Sequence, residues 1–150
     1  MPEKPGSLPQ FEKPLALAAG EALDSRASAK ELIDRRAMDI IQPDISLCGG
    51  FAEALFIAEM AALSGIRCIP HSWGSDIIIA ATVQLLSLLP DPHWGSPTDT
   101  PLLELDQSEN PWRNGLAKSS FSLQNGMVQV PTGSGLGITV DEEMVKNYSV

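Results

Sequence analysis

Short apolar runs alternate with longer segments whose apolar residues recur at helical spacing. Residues 15–19, 38–43 and 66–69 are predicted strands. The second of these runs is apolar on both faces, which is typical of a buried parallel strand. Helices are predicted between the strands, one from a capping box at Ser28 and Glu31 to about Arg36, the other over residues 51–64. The first half of the chain therefore has the order strand, helix, strand, helix, strand.

The second half begins with a nearly all-apolar helix, residues 76–89, which Pro90 ends. Residues 90–101 are expected to form a loop, and residues 102–105 are a candidate fourth strand. Asn125 and Gly126 lie between alternating apolar residues and predict a hairpin within residues 119–130. A glycine-rich turn over residues 131–137 and a last helix capped by Asp141 follow. Such an α/β chain of about four βα units fits either a small doubly wound sheet or part of a larger barrel.

Charged or ionisable residues follow each of the first three predicted strands. Glu21 follows the first run, Asp44 the second and His71 the third. In a parallel α/β fold the carboxyl ends of the strands lie side by side, at the face where such folds carry their chemistry. The pattern thus predicts a metal-type carboxylate and an Asp–His pair in one pocket.

The amino-acid composition limits the kinds of partner that this chain is expected to bind. The 150-residue chain carries a formal net charge of -9, and its ten Lys and Arg residues form no run. Nucleic acid and anionic membranes are therefore not expected as partners. The N-terminus has no apolar core for a signal peptide, and no run is long enough to span a membrane, so the cytoplasm is the expected location. Cys48 and Cys68 are predicted to be reduced, buried thiols.

A set of short motifs, in this order, resembles the enolase superfamily, in particular the C-terminal barrel domain of the mandelate racemase and muconate lactonizing enzyme branch, which includes acid-sugar dehydratases. The motifs are residues 19–21 (Ala-Gly-Glu), 39–44 (Asp-Ile-Ile-Gln-Pro-Asp), 49–50 (Gly-Gly), 65–66 (Gly-Ile), 70–71 (Pro-His), 131–137 (Pro-Thr-Gly-Ser-Gly-Leu-Gly) and 141–143 (Asp-Glu-Glu). The resemblance covers roughly residues 15–148.

The resemblance implies a modified (β/α) barrel with Mg²⁺ at the strand ends, where the metal stabilises the enediolate formed when a base removes a proton α to a carboxylate. By position, Glu21 matches a metal ligand, and Asp44 and His71 match an Asp–His dyad with His71 as the base or acid. Glu104 matches a carboxylic acid at the end of the last strand. General chemistry agrees, because Mg²⁺ prefers oxygen ligands and an imidazole held by a carboxylate suits proton transfer.

Members of this family also carry an N-terminal capping domain, a Lys-x-Lys strand and two earlier metal carboxylates, and none of these is in the 150 residues. The expected architecture is therefore the C-terminal half of a (β/α) barrel: a lead-in over residues 1–14, the half barrel over 15–118, and a hairpin and short-helix tail over 119–150 that would pack on a capping domain. The expected partners are a small carboxylate substrate and either a second copy or a missing N-terminal half.

The expected function is proton abstraction by a Mg²⁺-dependent hydroxy-acid or acid-sugar dehydratase or racemase. The alternative is a truncated, inactive fragment or one subunit of a split enzyme.

Three other features allow more than one interpretation. Turn geometry explains Gly133, Gly135 and Gly137 better than a dinucleotide-binding loop does, because their spacing is wrong for one. Trp73 fits either a pocket wall or the core, and His93 and Trp94 fit packing in a loop.

Overall fold

The computed structural model describes residues 15–89, 100–118, 121 and 123–149. The chain forms two compact units. The sheet unit comprises Met1–His71 and Leu89–Thr100, and the tail unit comprises Ser72–Leu88 and Pro101–Val150. None of the helices in the described ranges is long and apolar enough to cross a lipid bilayer.

The sheet unit is built on a three-stranded parallel sheet in the order β1-β2-β3. Its strands are β1 (Ala18–Ala19), β2 (Ile40–Ile41) and β3 (Arg67–Cys68). All three lie inside the predicted apolar runs, which confirms the parallel arrangement, although regular pairing covers only two residues of each run. Ile41 in the central strand is completely buried, as its two-sided apolar pattern predicts.

Helix α1 spans Arg26–Asp34 and begins earlier than the predicted capping box allows. The N-cap is Ser25, whose Oγ accepts a hydrogen bond from the Ser28 amide. The prediction of Ser28 as the cap is therefore wrong. The reason is local: Asp24 Oδ1 accepts hydrogen bonds from both serine hydroxyls, which holds Ser25 at the helix start and leaves Ser28 in the first turn.

Helix α2 spans Phe51–Leu63 and packs against α1 and β3. Gly65 adopts a φ of 69° just beyond the helix and ends it, as predicted. The two helices are also joined at the surface, where the Arg26 guanidinium pairs with Glu53 and lies 4.1 Å from the centre of the Phe56 ring. These contacts hold together the two helices that connect β1 to β2 and β2 to β3.

The tail unit begins with α3 (Asp76–Leu86), whose residues are mostly buried. This helix ends three residues before the predicted boundary. A short helix α4 (Pro111–Asn114) was missed by the sequence analysis. Its N-cap is Asn110, whose side chain accepts a hydrogen bond from the Trp112 amide. The last helix, α5 (Glu142–Asn147), has Asp141 as its N-cap, as predicted.

The predicted hairpin is confirmed as β4 (Leu123–Gln124) paired antiparallel with β5 (Met127–Val128). Asn125 and Gly126 have φ values of 52° and 78°. Two positive φ angles are what a type I′ turn requires, and asparagine and glycine tolerate them best.

The candidate fourth strand at residues 102–105 is wrong for the part of the chain that the structure describes. Residues 101–107 have no regular secondary structure. A strand needs a partner whose backbone groups match its own, and an apolar tetrapeptide by itself does not supply one. The described parallel sheet accordingly has three strands.

Candidate active site

Asp44 and His71 lie just beyond the carboxyl ends of β2 and β3 and form an isolated parallel bridge that continues the pairing of these strands. The His71 Nδ1 atom is 2.8 Å from Asp44 Oδ2. Asp44 is 3% exposed, and the His71 side chain is 25% exposed. The predicted Asp–His pair is therefore a direct hydrogen bond, with a buried carboxylate and an imidazole that reaches solvent.

The hydrogen bond determines which imidazole nitrogen is available. A carboxylate oxygen can only accept, so Nδ1 carries the proton and donates it to Asp44. The Nε2 atom then holds the free lone pair. An imidazole in this state can accept a proton at Nε2 and later return it, which is the action of a general base and acid.

The second oxygen of Asp44 is bound by Ser46, a residue that the sequence analysis did not single out. Asp44 Oδ1 accepts from the Ser46 amide at 2.7 Å and from the Ser46 hydroxyl at 2.5 Å. The Asp-x-Ser spacing was the available signal, because an aspartate commonly accepts from the amide two residues further on. Asp44 is thus both a turn residue and the partner of His71.

Glu21 follows β1 and is exposed. It comes directly after Gly20, which has a φ of 121° and where a Cβ would lie 3.2 Å from the Gln42 amide nitrogen. Among the described residues no group of three or more His, Cys, Asp or Glu side chains could hold a metal ion. Glu21 is one carboxylate of the hard-oxygen type that Mg²⁺ prefers, and the described residues do not complete a site around it.

Glu104 lies in the tail unit, exposed, in the irregular segment 101–107. Of the four predicted site residues, the described structure joins Asp44 and His71 by a direct hydrogen bond. It gives no such bond between these residues and Glu21 or Glu104.

A polar cluster in the tail unit was also missed. The Asp106 carboxylate accepts from the Ser108 amide and hydroxyl, from Arg113 and from Trp73 Nε1 at 3.1 Å. The hydrogen bonds from Ser108, followed by the nearby charge of Arg113, lower the pKa of Asp106. Trp73 is 67% exposed and is therefore not part of the core that the described residues form. His93 and Trp94 lie outside the described residues.

The same unit contains a cavity of about 200 Å³ lined by residues that include Asp76, Ile79, Arg113 and Phe121. Asp76 is 1% exposed, and its Oδ2 accepts from the Ala117 amide at 2.8 Å. Burial raises the pKa of this carboxyl group, and the hydrogen bond from Ala117 opposes that shift. The carboxylate ties α3 to the segment that follows α4.

Both cysteines are free thiols, as predicted. Cys48 is buried and Cys68 is half-buried. Burial of the sulfur raises the pKa of the Cys68 thiol to about 12. A thiol in this state is neutral at physiological pH and is a poor nucleophile or metal ligand.

The sequence model of the family described as "Enolase C-terminal domain-like" matches residues 1–144. The chain belongs to this family. All the motifs that the sequence analysis matched to the enolase superfamily, from residue 19 to residue 143, lie within this match. The fold is a fragment of the α/β barrel of the mandelate racemase group.

Curated relatives of this enolase-type domain act on acid sugars or their lactones. The chain is 36% identical over 137 residues to a D-galactarolactone cycloisomerase of Agrobacterium fabrum, covering 91% of this chain and 36% of the relative. It is 29% identical to an arabinonate dehydratase of Saccharolobus solfataricus, covering 91% of this chain and 34% of the relative. The chain thus spans about a third of the length of the curated relatives it matches.

Solved structures of mandelate racemase-type proteins and of an acid-sugar cycloisomerase are similar to this chain. The 3,6-anhydro-D-galactonate cycloisomerase from Zobellia galactanivorans matches with a TM-score of 0.79 and 34% identity, over 91% of this chain and 36% of that one. A mandelate racemase/muconate lactonizing enzyme from a Sulfitobacter species matches with a TM-score of 0.75 and 29% identity, over 90% of this chain and 32% of that one.

Proposed function

We propose that this chain supplies the Asp–His half of the proton-transfer machinery of an enolase-superfamily acid-sugar dehydratase or cycloisomerase. The observation that carries the proposal is the 2.8 Å bond between His71 Nδ1 and Asp44 Oδ2 at the ends of two adjacent parallel strands. The acid-sugar relatives support the substrate class, a hydroxy-acid with a proton on the carbon next to its carboxylate or lactone carbonyl.

In this function His71 Nε2 accepts the α-proton of the substrate or returns a proton to the product. The Asp44 carboxylate keeps the proton of the neutral imidazole on Nδ1 and stabilises the imidazolium that forms when Nε2 is protonated. The burial of Asp44 strengthens this interaction, since the carboxylate has little competing water. Glu104 is proposed, from the family resemblance, to be a further carboxylic acid of the site.

Loss of the α-proton places negative charge on the substrate oxygens, which a divalent cation such as Mg²⁺ would stabilise. Glu21 is proposed as one of its ligands. The described residues do not complete a metal site, so the other ligands of that cation would come from residues beyond those that the structure describes.

The test is hydrogen–deuterium exchange in an enzyme rebuilt by supplying the N-terminal portion of a relative to this chain. His71→Asn should remove α-proton exchange from one face of the substrate and lower that rate by about 10²–10⁴. Asp44→Asn should lower the same exchange, because an amide can donate to Nδ1 and leave the proton on Nε2. NMR of the recovered substrate measures both rates.

The matched control is His93→Asn, which changes the second of the two histidines in the chain and should leave the exchange unchanged. Equal loss of exchange on both faces in His71→Asn would show that the residue is structural or a metal ligand. An unchanged rate in Asp44→Asn would show that the two side chains do not work as a pair.

A further inference from the structure

We propose that Ser46 is the positioning residue of the dyad: it orients the Asp44 carboxylate so that one oxygen faces His71. This inference rests on the proposed function, since it assigns the residue that prepares the proposed base. The hydrogen bonds that Ser46 makes here are to Asp44, so it would act on His71 only through Asp44.

The geometry divides the Asp44 carboxylate between two partners. Oδ1 accepts from the Ser46 amide at 2.7 Å and from the Ser46 hydroxyl at 2.5 Å. Oδ2 faces His71 Nδ1 at 2.8 Å. Of the three hydrogen bonds that the described residues make to this carboxylate, one serine supplies two, and both fall on the oxygen that His71 does not use.

A carboxylate held only by His71 could still turn about its side-chain torsions and present either of its two equivalent oxygens to the imidazole. Bonds from a fixed donor on Oδ1 remove that freedom and leave Oδ2 in one place. The donor is fixed here, since the amides of Leu47 and Cys48 both donate to the Asp44 carbonyl and hold the turn. The backbone turn places Ser46, and Ser46 places the carboxylate.

The chemistry of the two donors differs in a way that can be tested. The amide would bind an aspartate in any turn of this type, whichever residue occupied position 46. The hydroxyl is specific to serine or threonine and forms a charge-assisted bond, which is stronger than a bond between neutral groups. Ser46 is exposed, so its truncation creates no buried cavity.

The experiment uses the 150-residue chain, labelled with ¹⁵N, and needs no substrate. Ser46→Ala keeps the amide and removes the hydroxyl. The Asp44 carboxylate should then leave His71 more often, and the Nδ1–H proton of His71 should exchange with water about three- to tenfold faster, the range expected for losing one hydrogen bond. Ser46→Thr should restore the wild-type rate, because threonine carries the same donor.

Ser64→Ala, at the C-cap of α2, is the matched control and should leave the His71 signal unchanged. Circular dichroism shows whether each variant keeps its helices. It therefore separates a local change at His71 from faster exchange caused by unfolding. Unchanged exchange in Ser46→Ala would overturn the proposal. Slower exchange would overturn it too, because the hydroxyl would then be drawing charge from the carboxylate instead of orienting it.

This readout is separate from turnover. If Ser46→Ala alters His71 as expected while the rebuilt enzyme exchanges no α-proton, the positioning role stands and the proposed reaction fails. If the rebuilt enzyme exchanges the proton and Ser46→Ala leaves His71 unaffected, the reaction stands and the positioning role fails.

Discussion

At the scale of single residues, hydrogen bonding distinguishes two buried carboxylates. Asp44 is 3% exposed, and its three hydrogen bonds compensate for the water it has lost. Asp76 is also buried, its pKa is raised, and one of its oxygens has no hydrogen-bond partner among the described residues. The better-satisfied carboxylate is the one that holds the imidazole, and the other links elements of the tail unit.

Cys68 provides a prediction at this scale. Because burial raises the pKa of its thiol from 9.0 to about 12, the reactive thiolate fraction at neutral pH falls on the order of 10³-fold. The thiol should therefore react with iodoacetamide about a thousand times more slowly in the folded chain than in guanidinium chloride. Mass spectrometry of quenched samples measures the rate, and the reaction should accelerate as the pH rises. Equal rates in the two states would contradict the assignment.

At the scale of elements, turns depend on backbone angles that few residues adopt. In the turn over residues 131–137, Gly135 and Gly137 have φ values of 65° and 77°. A Cβ at Gly135 would meet nothing within 4 Å, whereas one at Gly137 would lie 2.5 Å from the Pro131 Cβ and 2.9 Å from its carbonyl oxygen. Substitution at Gly135 therefore tests the energetic cost of a positive φ angle alone. Substitution at Gly137 tests that cost together with a steric clash against Pro131.

Gly135→Ala and Gly137→Ala form a matched pair for this prediction. The first should lower the free energy of unfolding by about 1–2 kcal/mol, the cost of a left-handed alanine. The second should lower it by roughly 1–3 kcal/mol more, because the Pro131 backbone cannot move aside without distorting the turn. Urea denaturation measures both values. Equal losses would show that Pro131 moves freely.

At the scale of the whole molecule, the chain spans about a third of the length of its curated relatives. Within the sheet unit, strand β1 has a neighbour on one side in the described sheet, and Leu15 and Leu17 just before it are 78% and 48% exposed. An open strand edge next to exposed leucines favours association. That a second copy or an N-terminal half covers this edge stays a prediction.

The 150-residue chain by itself should turn over no acid sugar. The reason is that the sequence contains no Lys-x-Lys strand to act opposite His71, and the described residues complete no metal site. Incubation with Mg²⁺ and a set of acid sugars, followed by a carbonyl assay of the products, should give the same signal as His71→Asn. Turnover above that variant would mean that these residues form a complete site.

Mg²⁺ should bind the isolated chain only weakly. This cation gives up its water reluctantly and usually needs more than one carboxylate or a substrate oxygen. Titration calorimetry should detect no tight binding to the wild type and no difference in Glu21→Gln. Micromolar affinity that disappears in Glu21→Gln would reveal a set of ligands that the described residues do not show.

Local sequence determined the elements of this protein and where its candidate chemistry falls. The order of β1, α1, β2, α2 and β3 follows from apolar periodicity, and the Asn125–Gly126 turn follows from the φ angles those residues tolerate. Such features depend on residues a few positions apart, which the sequence displays directly. The positions of Asp44 and His71, each after an apolar run, are likewise visible in the local sequence.

Only the tertiary structure decided which groups touch. The register of β2 against β3 brings His71 to Asp44 across 27 residues, and the turn after β2 adds Ser46 to the pair. The same dependence on distant partners left residues 102–105 without a strand. The distance between donor and acceptor atoms must stay within a few tenths of an ångström of its normal value, about 2.9 Å. That distance is set by packing of the whole unit, which no local pattern encodes.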